Sequence, residues 1–283
     1  MTDYLVNGNS ADSIQIDDRG FQYGDGLFET ILVKNGCPLF LAEHLNRLQR
    51  GCDVLAFPAI SRSLYNAEIS SIISSSSTGI LKIILSRGVA ERGFLPPSEP
   101  TLTRVISFSA ISDLNIETLQ NIHMILCKTR LSIQPRLAGI KHLNQLERVL
   151  ARSEWRNMAI KEGLMLDMDA YVIEGTMSNI FVVNNGILKT SHLKSSGVKG
   201  VMRDFVLLQA EKIGYSCKEV ALTLNDVREA DEVFITNSII CLQSVVKFSL
   251  ADTVIQFKQG PLAMLMFAAI QDEITEQCEA NSV

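Results

Sequence analysis

Apolar residues return along this chain with two spacings. At Leu41, Leu45, Leu48, Cys52 and Leu55 they recur every three or four residues, with His44, Arg47 and Arg50 between them. That spacing lines one face of a helix. The same spacing at Leu143, Leu146, Val149 and Leu150 predicts a helix that starts near Lys141 and pins this face to a core. A more polar helix is expected over residues 63–75. Another opens after Gly197-Val198-Lys199-Gly200 and runs to Ile213, with Gly214 as its stop.

Alternating and β-branched runs predict strands. Two short ones lie around Tyr4 and Val6 and around Ile14 and Ile16, turned by Asn7-Gly8-Asn9. In Phe21-Gln22-Tyr23-Gly24-Asp25-Gly26-Leu27-Phe28-Glu29-Thr30 two glycines let the backbone bend before a β-rich run that ends at Val33. Further strands are expected at 80–85, 104–108, 122–127, 164–167, 171–174, 180–183, 187–188 and 232–236, with Asn184-Asn185-Gly186 as a hairpin turn. Thr223 with Asp226 has the form of a helix cap.

Helices and strands interleave throughout, so the expected class is α/β (α+β). A chain of 283 residues has room for two domains; the polar stretch at 113–121 is the expected linker between an N-terminal α/β domain (1–112) and a C-terminal one (122–283). Hydrophobic residues at 47% and charged residues at 20% fit a packed chain and exclude a disordered one. A net charge of −5 without a Lys/Arg cluster gives no footprint for nucleic acid or an anionic membrane. The start MTDYLVNGNSADS has neither the basic flank nor the apolar run of a signal peptide, and the apolar run 262–270 is too short to span a bilayer. A cytoplasmic protein is expected, and its six cysteines, with no CxxC pair and no neighbouring histidines, read as reduced thiols and not as metal ligands.

Several residues carry chemistry, each with a plain alternative beside it. Lys141 stands two residues after Gly139; partial burial would make it a nucleophile toward a carbonyl, whereas most lysines are solvated. Arg47 lies at the edge of its helical stripe, where an arginine either stays at the surface or turns its planar fork to an anion such as a phosphate. Glu174 heads Glu174-Gly175-Thr176-Met177-Ser178-Asn179 and is either a rim charge or a partner for a protonated ring nitrogen. Val201 and Met202, after glycines at a helix start, and the turn Asn237-Ser238 offer backbone donors of the kind that hold phosphate. The loop 86–94 carries Arg87 and Arg92, which suit a carboxylate if they do not simply face solvent. Neither GxGxxG nor GxxxxGK[ST] occurs.

A lysine for an imine, an arginine and helix-end donors for a phosphate, and a carboxylate for a heteroaromatic nitrogen are together what pyridoxal 5′-phosphate needs. The segments HLNRLQR, GIKHLNQLERVLAR, VIEGTMSNIFVV and GVKGVMR occur here in the order and spacing of the fold-type IV pyridoxal-phosphate enzymes, which the chain resembles from Tyr4 to Val246. Within that superfamily it is most similar to the 4-amino-4-deoxychorismate lyases of folate biosynthesis. The resemblance implies two α/β domains with the cofactor between them, a homodimer and a small-molecule substrate. It makes Lys141 the catalytic lysine that bears the cofactor, Glu174 the partner of the pyridine nitrogen and Arg47 the phosphate arginine, with Val201, Met202, Ser178, Asn237 and Ser238 completing the phosphate cup. Phe28 and Arg92 would face the substrate, although Arg92-Gly93-Phe94 stands where those lyases have a tyrosine-ended motif. The rival enzymatic reading is an aminotransferase acting on a D-amino acid or a branched-chain amino acid, which Phe28-Glu29-Thr30 and Glu174-Gly175-Thr176 suit equally. A cofactor-binding module without turnover is the rival from another class, and an intact Lys141 and Glu174 argue against it.

Overall fold

A computed structural model describes residues 2–281, Asp113 and Asp252 excepted. The chain groups into two units, Met1–Leu114 with Ile140–Asn144 and Ile274–Val283, and Asn115–Gly139 with Gln145–Glu273.

In the first unit β1 (Thr2–Val6) and β2 (Asn9–Ser10) form a hairpin, and a short helix α1 (Arg19–Tyr23) precedes β3 (Gly26–Lys34). The chain turns back on β3 as β4 (Cys37–Pro38), then forms α2 (Leu41–Leu55) and α3 (Arg62–Ile72) before β5 (Gly79–Ser86) and β6 (Thr103–Ala110). The strands make one antiparallel sheet in the order β2-β1-β6-β5-β3-β4. Its register sets Leu27 against Leu85 and Ile31 against Leu81, so buried side chains stack on one face of the pleat. The buried stripe of α2, Leu45, Leu48 and Cys52, covers that face beside β3. Gly51 lets the helix come close: a Cβ there would stand 2.7 Å from both Leu27 methyl carbons.

The second unit contains β7 (Gln120–Leu126), α4 (Leu146–Arg152), β8 (Ile160–Leu166), β9 (Val172–Gly175), β10 (Asn179–Asn184) and β11 (Ile187–Ser191). These are followed by α5 (Val201–Lys212), β12 (Ser216–Val220), α6 (Leu224–Arg228), β13 (Glu232–Asn237), β14 (Cys241–Leu250) and β15 (Thr253–Gln256). A last helix, α7 (Pro261–Asn281), groups with this unit up to Glu273 and with the first unit beyond it. The mixed sheet runs β12-β11-β10-β13-β14-β7-β8-β9, with β15 paired to β14. Strands β8, β9, β10 and β13 are buried on both faces except at their ends, which explains their near-continuous apolar sequences. Val182, Val233, Ile235, Val245 and Phe248 form the core of one face, with Leu222 and Val227 at α6 packed on it. No helix among the described residues is long and apolar enough to cross a membrane.

The structure departs from the sequence expectation at three places. Ile14 and Ile16 are exposed and outside any strand, because β1 closes its hairpin with Asn9–Ser10 and spends its other edge on β6. No helix begins at Lys141. The groups a helix would use there are bonded to β3: Phe28 N–H donates to Lys141 O at 3.0 Å and Leu143 N–H to Gly26 O at 2.9 Å. Helix α4 therefore starts only at Leu146, and its apolar residues are not pinned to a core, Leu146 being 70% exposed, Val149 61% and Leu150 53%. The domain division differs as well, since 140–144 and 274–283, read from sequence as part of the C-terminal domain, group with the first unit.

Helix α6 is short enough to depend on its cap. Thr223 Oγ1 accepts from Asp226 N–H at 3.1 Å while Asp226 Oδ2 accepts from Thr223 N–H at 3.0 Å. Thr223→Ala should destabilise the protein by about 1 kcal/mol, read as a lower urea midpoint with an unchanged slope.

Candidate active site

Lys141 is held by its backbone. The bridge between Leu27 and His142 makes residues 141–143 a short extra strand on the free edge of β3, and alternation then turns the Lys141 side chain to the face of Phe28. Its Nζ lies 4.2 Å from the Phe28 ring centroid. A second ammonium, Lys82 of β5, stands 5.7 Å from the same centroid. The negative face of the ring attracts both cations, so this side of the sheet presents two amines around one aromatic ring. Lys82 carried no sequence signal of its own; its place follows from the register, which pairs it with Thr30, two residues from Phe28.

The other face of β3 carries Glu29, fully buried. Arg47 grips its carboxylate with both Nε, at 2.8 Å, and Nη2, and His44 Nδ1 lies 2.6 Å from Oε2. Burial alone would raise the Glu29 carboxyl; the charge and hydrogen bonds of Arg47, with the hydrogen bond of His44, outweigh it and hold it at about 2. Burial pushes His44 down, against the pull of Glu29 and with the help of the Arg47 and Lys141 charges. A neutral imidazole then donates its Nδ1–H to Glu29, and its buried Nε2 has no hydrogen-bond partner. Arg47, at 5% exposure, is thus a fixed, planar cation inside the unit and not a surface arginine. The i, i+3 spacing of His44 and Arg47 was the available signal that both reach one point.

In the second unit Glu174 lies in β9, one residue before its end, as a buried carboxylate. Its Oε2 accepts from Val198 N–H at 2.9 Å and from Asn179 Nδ2 at 3.3 Å, and its Oε1 pairs with Arg148 of α4. Gly139 and Val198 bridge, which brings the Gly197-Val198 turn to this carboxylate. Gly200 caps α5 in extended conformation with no side-chain cap bond, and a Cβ there would collide with Asn179 Oδ1. The first-turn N–H groups at Val201 and Met202 have no carbonyl partner inside the helix. Nearby in the sheet, opposite Asn179, the buried Thr236 hydroxyl has no partner.

The remaining predicted residues have visible duties. Ser178 donates to Glu162 Oε2 at 2.7 Å, and Glu162 also accepts from the N–H groups of Gly163 and Thr176. Asn237 uses Nδ2 on Met177 O and Oδ1 on the N–H groups of Ile239 and Ile240, closing the turn that contains Ser238. Arg92 is exposed in its loop. The other loop arginine, Arg87, is buried, bonded to Asp25 Oδ2 at 2.8 Å and set over Phe57. Among the described residues no group of three His, Cys, Asp or Glu side chains is placed to hold a metal.

Residues 26–248 match the family described as amino-transferase class IV. The aminodeoxychorismate lyase of Vibrio harveyi is 35% identical over 261 residues, covering 92% of this chain and 96% of that protein. The D-alanine aminotransferase of Listeria innocua is 28% identical over 283 residues, covering 98% and 96%. Among solved structures, the 4-amino-4-deoxychorismate lyase of Pseudomonas aeruginosa superposes with a TM-score of 0.87 at 37% identity, covering 95% of this chain and 98% of that one.

Because the folded-state pKa of Glu29, about 2, lies below its ordinary value of 4.5, the unfolded chain binds the extra proton between those values. The stabilisation is present above about pH 4.5 and is lost as the pH falls toward 2. Glu29→Gln should abolish this part of the pH dependence and, by leaving Arg47 buried without its counter-charge, cost about 3–5 kcal/mol at pH 7; urea unfolding across pH measures both.

Proposed function

This chain belongs to the amino-transferase class IV family, and from that premise we propose that it is a pyridoxal 5′-phosphate-dependent lyase converting 4-amino-4-deoxychorismate to 4-aminobenzoate and pyruvate. The residues fit the cofactor. A buried carboxylate at Glu174 suits a protonated ring nitrogen. The uncapped start of α5 and the unpartnered Thr236 hydroxyl suit an anionic group, as does the rigid guanidinium of Arg47. Lys141 carries the cofactor, and Arg47, Val201, Met202 and the Asn237-Ser238 turn hold its phosphate. Ser178 works there through Glu162, to which its hydroxyl is bonded.

When bound, the cofactor supplies an electron sink for the carbon that bears the substrate amine. The Lys141 amine takes the proton from that carbon. As the ether bond on the neighbouring carbon breaks, the ring becomes aromatic and the enolpyruvyl group leaves, to be protonated to pyruvate. Arg148 and the donors on Glu174 keep that carboxylate oriented throughout. Phe28 positions the Lys141 amine from below. The substrate brings two carboxylates, and Lys82 and the exposed Arg92 are the cations assigned to them. A homodimer in the cytoplasm goes with this reading, and the exposed Leu146, Val149 and Leu150 give a second copy an apolar surface to cover.

The observation that carries the reading is the strand-held Lys141 over Phe28 with a second ammonium beside it. The likeness to a D-alanine aminotransferase supports a second reading, transfer of an amino group from a D-amino acid to a keto acid. Purified protein loaded with the cofactor should release pyruvate and 4-aminobenzoate in equal amounts from aminodeoxychorismate; amino-group exchange between D-alanine and a keto acid, without that release, would establish the aminotransferase. Borohydride reduction should fix the cofactor on Lys141. Lys141→Ala should lose that label and at least about 10²-fold in turnover.

A further inference from the structure

Two of the six cysteines meet where the end of α7 rests on the β3–β4 turn. Cys37 and Lys34 are register partners across Asn35-Gly36. The Cys37 thiol donates to Gln277 O at 3.4 Å, and the Cys278 thiol donates to Lys34 O at 3.7 Å. Each thiol therefore reaches a carbonyl of the segment that carries the other thiol, and the nearby Cys278 adds to the upward push that burial gives the Cys37 thiol. Further bonds fix the junction: Phe40 N–H donates to Gln277 Oε1 at 2.8 Å and Asn281 Nδ2 to Gly36 O at 3.3 Å. No part of the proposed mechanism uses either thiol.

We propose that Cys37 and Cys278 are a redox modification site, closing to a reversible intramolecular disulfide by exchange with small disulfides of the glutathione type. Cys278 is half-buried and Cys37 is buried, so the first attack falls to Cys278. Its thiolate attacks one sulfur of glutathione disulfide, breaking that S–S bond, forming a mixed disulfide and releasing one glutathione. The Cys37 thiol then gives its proton to solvent and attacks the Cys278 sulfur, expelling the second glutathione. The two cysteines lose two electrons, and the reagent is reduced to two thiols. Burial, reinforced by Cys278, pushes the Cys37 thiol up to about 12. The product ties a turn near the start of the chain to its last helix and so restricts the unfolded chain over nearly its whole length.

The test uses the full chain, native, incubated with glutathione disulfide, then alkylated, denatured and mapped by mass. The expected result is the loss of two thiols, a Cys37–Cys278 cross-linked peptide with no glutathione retained, restoration by dithiothreitol, and a higher melting temperature for the oxidised form. In Cys37→Ser the glutathione should stay on Cys278; Cys278→Ser should leave Cys37 unmodified. Six persistent thiols in the wild type, a glutathione adduct that remains on Cys278 there, or a cross-link between chains or to any other cysteine would overturn the assignment, and these wild-type outcomes do not depend on either variant folding.

Discussion

Phe28 and Glu29 are neighbours in β3, and the pleat sends their side chains to opposite faces of the sheet. Everything assigned to the first unit hangs on that alternation. On one face the Phe28 ring gathers two amines; on the other, one residue's rise away, Glu29 gathers an arginine and a histidine. A one-residue slip of β3 would exchange the two sets, putting a carboxylate beside Lys141 and an aromatic ring under Arg47. The eight-residue register with β5 and the short pairing with 141–143 fix the strand from both edges and exclude that slip.

A carboxylate as buried as Glu29 is costly unless its oxygens are filled. Arg47 and His44 fill them, and only one of the two carries a charge, so the cluster is close to neutral. The outcome is a guanidinium whose plane is set by two parallel bonds before any ligand arrives. An anion that meets Arg47 has less side-chain entropy to remove than it would with a surface arginine. Glu174 follows the same logic with different donors, a backbone N–H, an asparagine amide and Arg148. Both units thus keep their key charged group by surrounding it with fixed partners.

Where local chemistry decided the structure, the sequence was readable. The α2 stripe yields a helix over the expected residues, Asn185-Gly186 turns a hairpin, and Thr223 with Asp226 makes a capping box. The errors arise where a distant strand claims the backbone. Leu143, Leu146, Val149 and Leu150 have helical spacing, yet residues 141–143 are taken by β3, more than a hundred positions earlier, and no periodicity in a short window records that claim. Helix α1, five residues between an Asp18 cap and Gly24, is too short for a period to show. Buried charge was the other blind spot: Arg47 and His44 look like surface residues until Glu29, on another element, is seen to be enclosed with them.

The loop after β5 shows how such partners separate scaffold charge from exposed charge. Asp25 lies between Arg19 and Arg87, bonded to each at 2.8 Å; burial would raise its carboxyl, but the two arginines bring it below the usual range. Arg19 continues outward to the carbonyls of Gly93 and Phe94, so the loop is tethered through its backbone while Phe94 remains 84% exposed against Tyr23. Arg87 spends its charge on this tether and its plane on Phe57. Of the loop's two arginines only Arg92 points its charge into water, where an ion contributes little to holding a fold together. Its guanidinium is the one in this loop that a ligand carboxylate can claim without dismantling the scaffold.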